Sequence, residues 1–247
     1  MSLPDPTLAN LREGLSTCLS ELLDSYDLQP SAPAEEPASP PVLVETFNQL
    51  FDAMRRTEYD ARSGNQPAAD AVTELGEYAL GLFEETLGWA TRLGLPEVHQ
   101  DLQTHTISMA RWIGRHGGEI QLLEPVVDAL AQQANTMCAP DELLTLYQTM
   151  GEVIDATADF IREDLEKDNP GRPWRVLQMN RAIVATRTHQ TDAMDTAFQA
   201  LISHLPQDAP KFFSEGMEQM DLLNYPPHVR EVMDRYYRKW SIDRTLH

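Results

Sequence analysis

Three carboxylates recur at four-residue intervals in "DATADFIREDLEKD", residues 155–168: Asp155, Asp159 and Glu163. On an unbroken helix that spacing puts them on one face. Such a row can hold a divalent cation, as in some all-helical enzymes acting on diphosphates. Those enzymes need a second acidic motif on a facing helix, and the sequence supplies none. The row therefore reads first as a solvated acidic face, with a metal-dependent enzyme as the alternative. His228 and Glu231 also share a helical face, but two groups are too few for a usual metal site. A surface hydrogen bond or ion pair is the expectation there. His99 and His105 lie six residues apart, off a shared face. His105 adjoins an apolar stripe and reads as packed or partly buried.

Other chemistry finds less support. GxGxxG, the phosphate-loop pattern, HExxH and ExxH are absent, so no cofactor and no metal are expected. Serine does not occur in GxSxG, and Cys18 and Cys138 have no histidine near them in sequence. The two cysteines lack CxxC or zinc spacing and read as reduced thiols. Arg172 and Arg175 stand at a helix start, where the dipole disfavours cations. They are expected to pair with Glu163, Asp164, Glu166 or Asp168 across the preceding turn.

The elements that carry these residues read as helices throughout. Residues 5–27 repeat Leu8, Leu11, Leu15, Leu19, Leu22 and Leu23 at helical spacing. "QPSAPAEEPASPPV", residues 29–42, has the composition of an extended linker. The expected organisation is an N-terminal amphipathic helix (1–28), a Pro-rich linker (29–42) and a helical-hairpin domain (43–247). From residue 43 apolar stripes follow one another, among them Leu143 to Leu165 as one helix and Val176, Met179 and Ile183 as another. Gly64-Asn65-Gln66-Pro67, Gly94-Leu95-Pro96, Gly117-Gly118, Ala139-Pro140, Asn169-Pro170-Gly171 and Pro226-Pro227 are turn chemistry. Short turns between helices make antiparallel neighbours.

The chain carries 39 acids against 19 bases, a net charge of −20. This disfavours nucleic acid and anionic membrane surfaces and suits a protein partner with a basic surface. No apolar run approaches the ~18 residues of a membrane span, and the N-terminus lacks signal-peptide character. A cytoplasmic protein is expected. Residues 171–247 hold 9 acids and 10 bases, which makes them the segment most open to an acidic ligand.

Hairpin turns fall near residues 95, 139, 190 and 226, at spacings of roughly 44, 51 and 36, in or above the range of two-helix repeats. Phe212 and Gly216 stand four apart on the first helix of a hairpin. Ala193 and Ala197 stand on a second helix, followed by Pro206. In these features residues 173–240 resemble the tetratricopeptide family or a related α-solenoid. The departures are Gln219, where that family places a tyrosine, and His228, where it places a small residue. The resemblance implies a concave surface that binds a protein segment, without chemistry of its own. The fold class is all-α: antiparallel helical hairpins forming either a plain bundle or a short tetratricopeptide-like solenoid.

The expected function is a non-enzymatic protein–protein interaction module: an adaptor, scaffold or assembly factor. The candidate contacts are Leu11, Leu15, Leu19 and Leu22 on the N-terminal helix, with Arg181, Arg187, Tyr237, Arg238 and Trp240. That helix is expected to dock within its own chain or to swap between two copies as a homodimer. Most aromatics of residues 212–240 are expected in the core, and Tyr237, Arg238 and Trp240 at an exposed contact.

Overall fold

A computed structural model describes residues 6–28, 38–63 and 69–242. Most of the expected linker (29–37) and the turn at 64–67 lie outside these residues. The described chain is all-α, with eleven α-helices, a terminal π-helical turn and no strand. It divides into two compact units, residues 2–133 with 152–163, and residues 134–151 with 164–247.

In the first unit, α1 (Leu8–Asp27), α2 (Pro40–Arg62), α3 (Ala69–Arg92) and α4 (Pro96–Arg115) pack in a closed ring. Each helix touches the next, and α4 touches α1, which makes a four-helix bundle. Thr7 caps α1, its hydroxyl accepting from the Asn10 amide at 3.3 Å. Leu11, Leu15, Cys18, Leu19 and Leu22 are buried, and Tyr26 meets Trp89 edge-on at 5.3 Å. The helix expected on a tether is thus one wall of the bundle, packed within its own chain. The next helix starts at Pro40, inside the expected linker. Proline is tolerated in a first turn because its missing N–H would have no helical acceptor there. Phe47 packs on Phe83 at 5.4 Å in the core. Trp112 donates its indole N–H to Glu58 at 3.0 Å and stacks on His116.

Gly94 and Gly117 take φ of +70° and +78° at the ends of α3 and α4, a region that glycine enters without strain. Then come α5 (Glu124–Thr136), α6 (Pro140–Ala156) and α7 (Asp159–Arg162). The single helix expected from Leu143 to Leu165 is broken at Thr157–Ala158. There Ile120 forms a short parallel bridge with Thr157. The Ile120 amide donates to the Ala156 carbonyl at 2.7 Å, and the Ala158 amide donates to the Ile120 carbonyl at 3.1 Å. Those bonds take backbone groups that a continuing helix would use.

In the second unit, α8 (Pro173–Arg187) pairs with α9 (Thr191–His204), and α10 (Ala209–Leu222) with α11 (Pro227–Tyr237). A π-helical turn, Arg238–Ile242, ends the described chain. The hairpins meet where α9 lies against α11. Phe198 of α9 sits 5.7, 5.2 and 5.1 Å from Phe212, Phe213 and Tyr236. These aromatics are buried, as the sequence led one to expect. Edge-to-face contacts of this kind add to the burial of their area.

Candidate functional site

The residues that stand out are on α8. At about 100° per residue, Trp174, Leu177, Gln178, Ala182 and Ala185 fall on one side, and all are buried. Met179 and Ile183 project from nearly the opposite side, and Ile183 is 45% exposed. The apolar stripe read from the sequence, Val176, Met179 and Ile183, is therefore not the buried one. Met179 and Ile183, with Thr186 and Arg187, form one wall of a groove of about 520 Å³. The facing wall is α10, through Phe212, Gly216 and Met220, with Leu223 just past its end, and Met233 and Tyr225 also line it. Leu223 is 62% exposed, while Met220 and Met233 are nearly closed off at the floor. A Cβ on Gly216 would come within 2.7 Å of the Met233 sulfur, so the glycine permits the close approach of α10 and α11.

The arginines expected to bind a partner have other work. Arg181 lies over the Tyr147 ring at 4.6 Å and donates to its hydroxyl at 3.3 Å. Arg187 donates to the carbonyls of Ala134 and, at 2.6 Å, Met137. It thus holds the C-terminal end of α5, where the dipole favours a cation. Arg175 pairs with Asp208 at 2.7 Å rather than with the preceding acidic turn. Arg172 does pair across that turn, with Asp164. Arg230 and Arg235 pair with Asp221 and Asp195. Arg238 is exposed and pairs with Asp234 at 2.8 Å. Tyr237 and Trp240 are half-buried. The basic character of residues 171–247 is thus largely taken up within the chain. Leu11, Leu15, Leu19 and Leu22 are buried in the bundle and present no free surface in this conformation.

The carboxylate row does not assemble. Asp155 lies on α6, Asp159 opens α7 with its side chain 92% exposed, and Glu163 follows the end of α7. Arg162 donates to the Ile154 carbonyl at 2.9 Å and also to that of Asp155, capping α6. No group of three or more His, Cys, Asp or Glu among the described residues is placed to hold a metal ion. His228 donates to the His189 carbonyl at 3.1 Å, the surface hydrogen bond expected of it.

Cys18 and His105 are brought to the same α1–α4 contact, a proximity invisible in sequence. Gly14 abuts the His105 ring, and Asp101 acts on both Cys18 and His105. Burial, with Asp101 and Glu21 adding, pushes the Cys18 thiol up to about 12. A thiol so firmly protonated is a poor nucleophile. Burial lowers His105 from its ordinary 6.5 and Asp101 opposes the shift; its buried Nδ1 has no hydrogen-bond partner. Above 6.5 neither the folded nor the unfolded state holds this proton. Below 6.5 the unfolded state takes it first, so stability falls until the folded value is passed. His105→Gln is expected to flatten the dependence of melting temperature on pH across that window. An unchanged pH profile in the variant would remove this assignment.

No family model, curated protein or solved structure matches the chain. No helix among the described residues is long and apolar enough to cross a membrane.

Proposed function

We propose that the protein is a non-catalytic protein–protein interaction module of the cytoplasm, an adaptor or assembly factor that holds a partner segment in the α8–α10 groove. One observation carries this reading. Met179 and Ile183 of α8 turn away from the buried face of their helix and line a concavity. Water-facing apolar side chains that converge in a groove mark binding surfaces more often than isolated exposed ones do. The tetratricopeptide-like features at Phe212 and Gly216 support the same reading, since both residues line this groove. The α1 stripe serves the bundle, which moves the proposed contact from the N-terminus to the second unit.

The test is copurification from the native host with the full chain and with an Ile183→Ser, Leu223→Ser variant. Calorimetry on the recovered partner follows. Both side chains are substantially exposed, so the fold is expected to persist. Affinity is expected to fall at least about ten-fold, on the order of 1–3 kcal/mol for the apolar area no longer buried. A partner held equally well by the variant would move the contact away from the groove.

A further inference from the structure

From the distribution of charge around this groove, and resting on the reading above, we infer that its occupant is an amphipathic segment with apolar anchors and a basic edge. The floor and the Met179–Ile183 part of the α8 wall are apolar and include three methionines, Met179, Met220 and Met233, while Thr186 and Arg187 continue that wall. Methionine is unbranched and polarizable, so such a floor accepts leucine, methionine or aromatic anchors without demanding one shape. The α10 wall carries Glu215 and Glu218, three residues apart and both exposed. Glu215 meets Lys211 at 3.6 Å, with both side chains more than half exposed, an arrangement that water screens strongly. Glu218 has no ion-pair partner among the described residues. The lining cation, Arg187, is engaged by the carbonyls of Ala134 and Met137. The α10 wall therefore offers one uncommitted carboxylate, Glu218, beside the screened pair of Glu215, while across the groove the Arg187 guanidinium is fixed on neutral carbonyls that leave its charge in place. Along the α10 wall an acidic segment would meet Glu215 and Glu218, whereas lysines or arginines on that edge would complement them. The −20 charge of the whole chain steers encounter in the same sense.

Short labelled peptides sharing one pattern of leucines, with lysine, glutamine or glutamate between them, test this by fluorescence anisotropy at low salt against the full chain. The lysine peptide is expected to bind tightest. Glu218→Lys is expected to weaken it about five-fold and to leave the glutamine peptide unchanged, as reversal of one exposed charge implies. Glu84→Lys supplies the same change of net charge at an exposed position on α3 and is expected to have a smaller effect. Ile183→Ser is expected to weaken the lysine and glutamine peptides alike. Equal effects of Glu84→Lys and Glu218→Lys, or tighter binding of the glutamine or glutamate peptide, would overturn the basic edge while leaving the groove intact. Ile183→Ser without effect on any peptide would overturn the groove itself.

Discussion

Asp164→Ala is expected to cost the second unit about 3–5 kcal/mol, the usual consequence of leaving a buried charge without its partner. The Arg172 and Asp164 side chains are each only 5% exposed. The guanidinium meets both carboxylate oxygens, Nη2 donating to Oδ2 at 2.9 Å, and Nη1 donates to the carbonyls of Lys167 and Asn169 at 3.2 and 2.9 Å. Without the carboxylate, those carbonyls still accept hydrogen bonds but cannot neutralise the cation. A second effect adds to the first. Asp164 has φ of +50°, where aspartate is tolerated better than alanine. Asp164→Asn separates the two effects, since it removes the charge and keeps the backbone preference. Arg172 is the residue before α8, so the loss is expected to reach the groove wall. Hydrogen exchange of the α8 amides, with denaturant titration, measures both. A loss below about 1 kcal/mol would place the pair among ordinary surface ion pairs.

Gly14→Leu is expected to unseat α1 from the first unit. A Cβ at Gly14 would lie 2.2 Å from Cε1 and 2.4 Å from Nε2 of His105, inside any allowed contact. A longer side chain enters an interface already filled by Leu11, Leu15 and Cys18. Overpacking of this kind costs roughly 1–3 kcal/mol and displaces backbone. Because α1 closes the ring of four helices, its displacement also exposes core residues of α2 and α4. The measurement is the melting temperature of the full chain together with amide protection along α1. A double-mutant cycle of Gly14→Ala with His105→Ala isolates the contact, and its coupling is expected at about 1 kcal/mol. Strict additivity would show that glycine at this position answers some other need.

The sequence by itself determined the all-α class and most helix starts and stops. Those signals are local: Pro96, Pro140, Pro173 and Pro227 each open a helix, and Gly94 and Gly117 each follow one. It also pointed to Arg172 pairing with one of four acids across the preceding turn, Glu163, Asp164, Glu166 or Asp168, because all lie within nine residues of it; which of them, Asp164, was decided by the fold. The aromatic core of the second unit was legible because Phe212, Phe213 and Tyr236 cluster along the chain.

Three matters were decided by tertiary structure alone. The break between α6 and α7 comes from Ile120, which lies 37 residues from Thr157 (157 − 120). Helical periodicity has no access to such a distant backbone partner. The burial of Leu11, Leu15, Leu19 and Leu22 depends on α2 and α4 closing around α1. An amphipathic stripe has the same appearance whether it meets its own chain or another. The last is α8, which is apolar on two sides, with Leu177 and Ala185 on one and Met179 and Ile183 on the other. Hydrophobicity alone cannot tell which side a neighbour will cover. Packing against α9 left Ile183 exposed and Met179 half-buried, and that choice created the groove on which the proposed function rests.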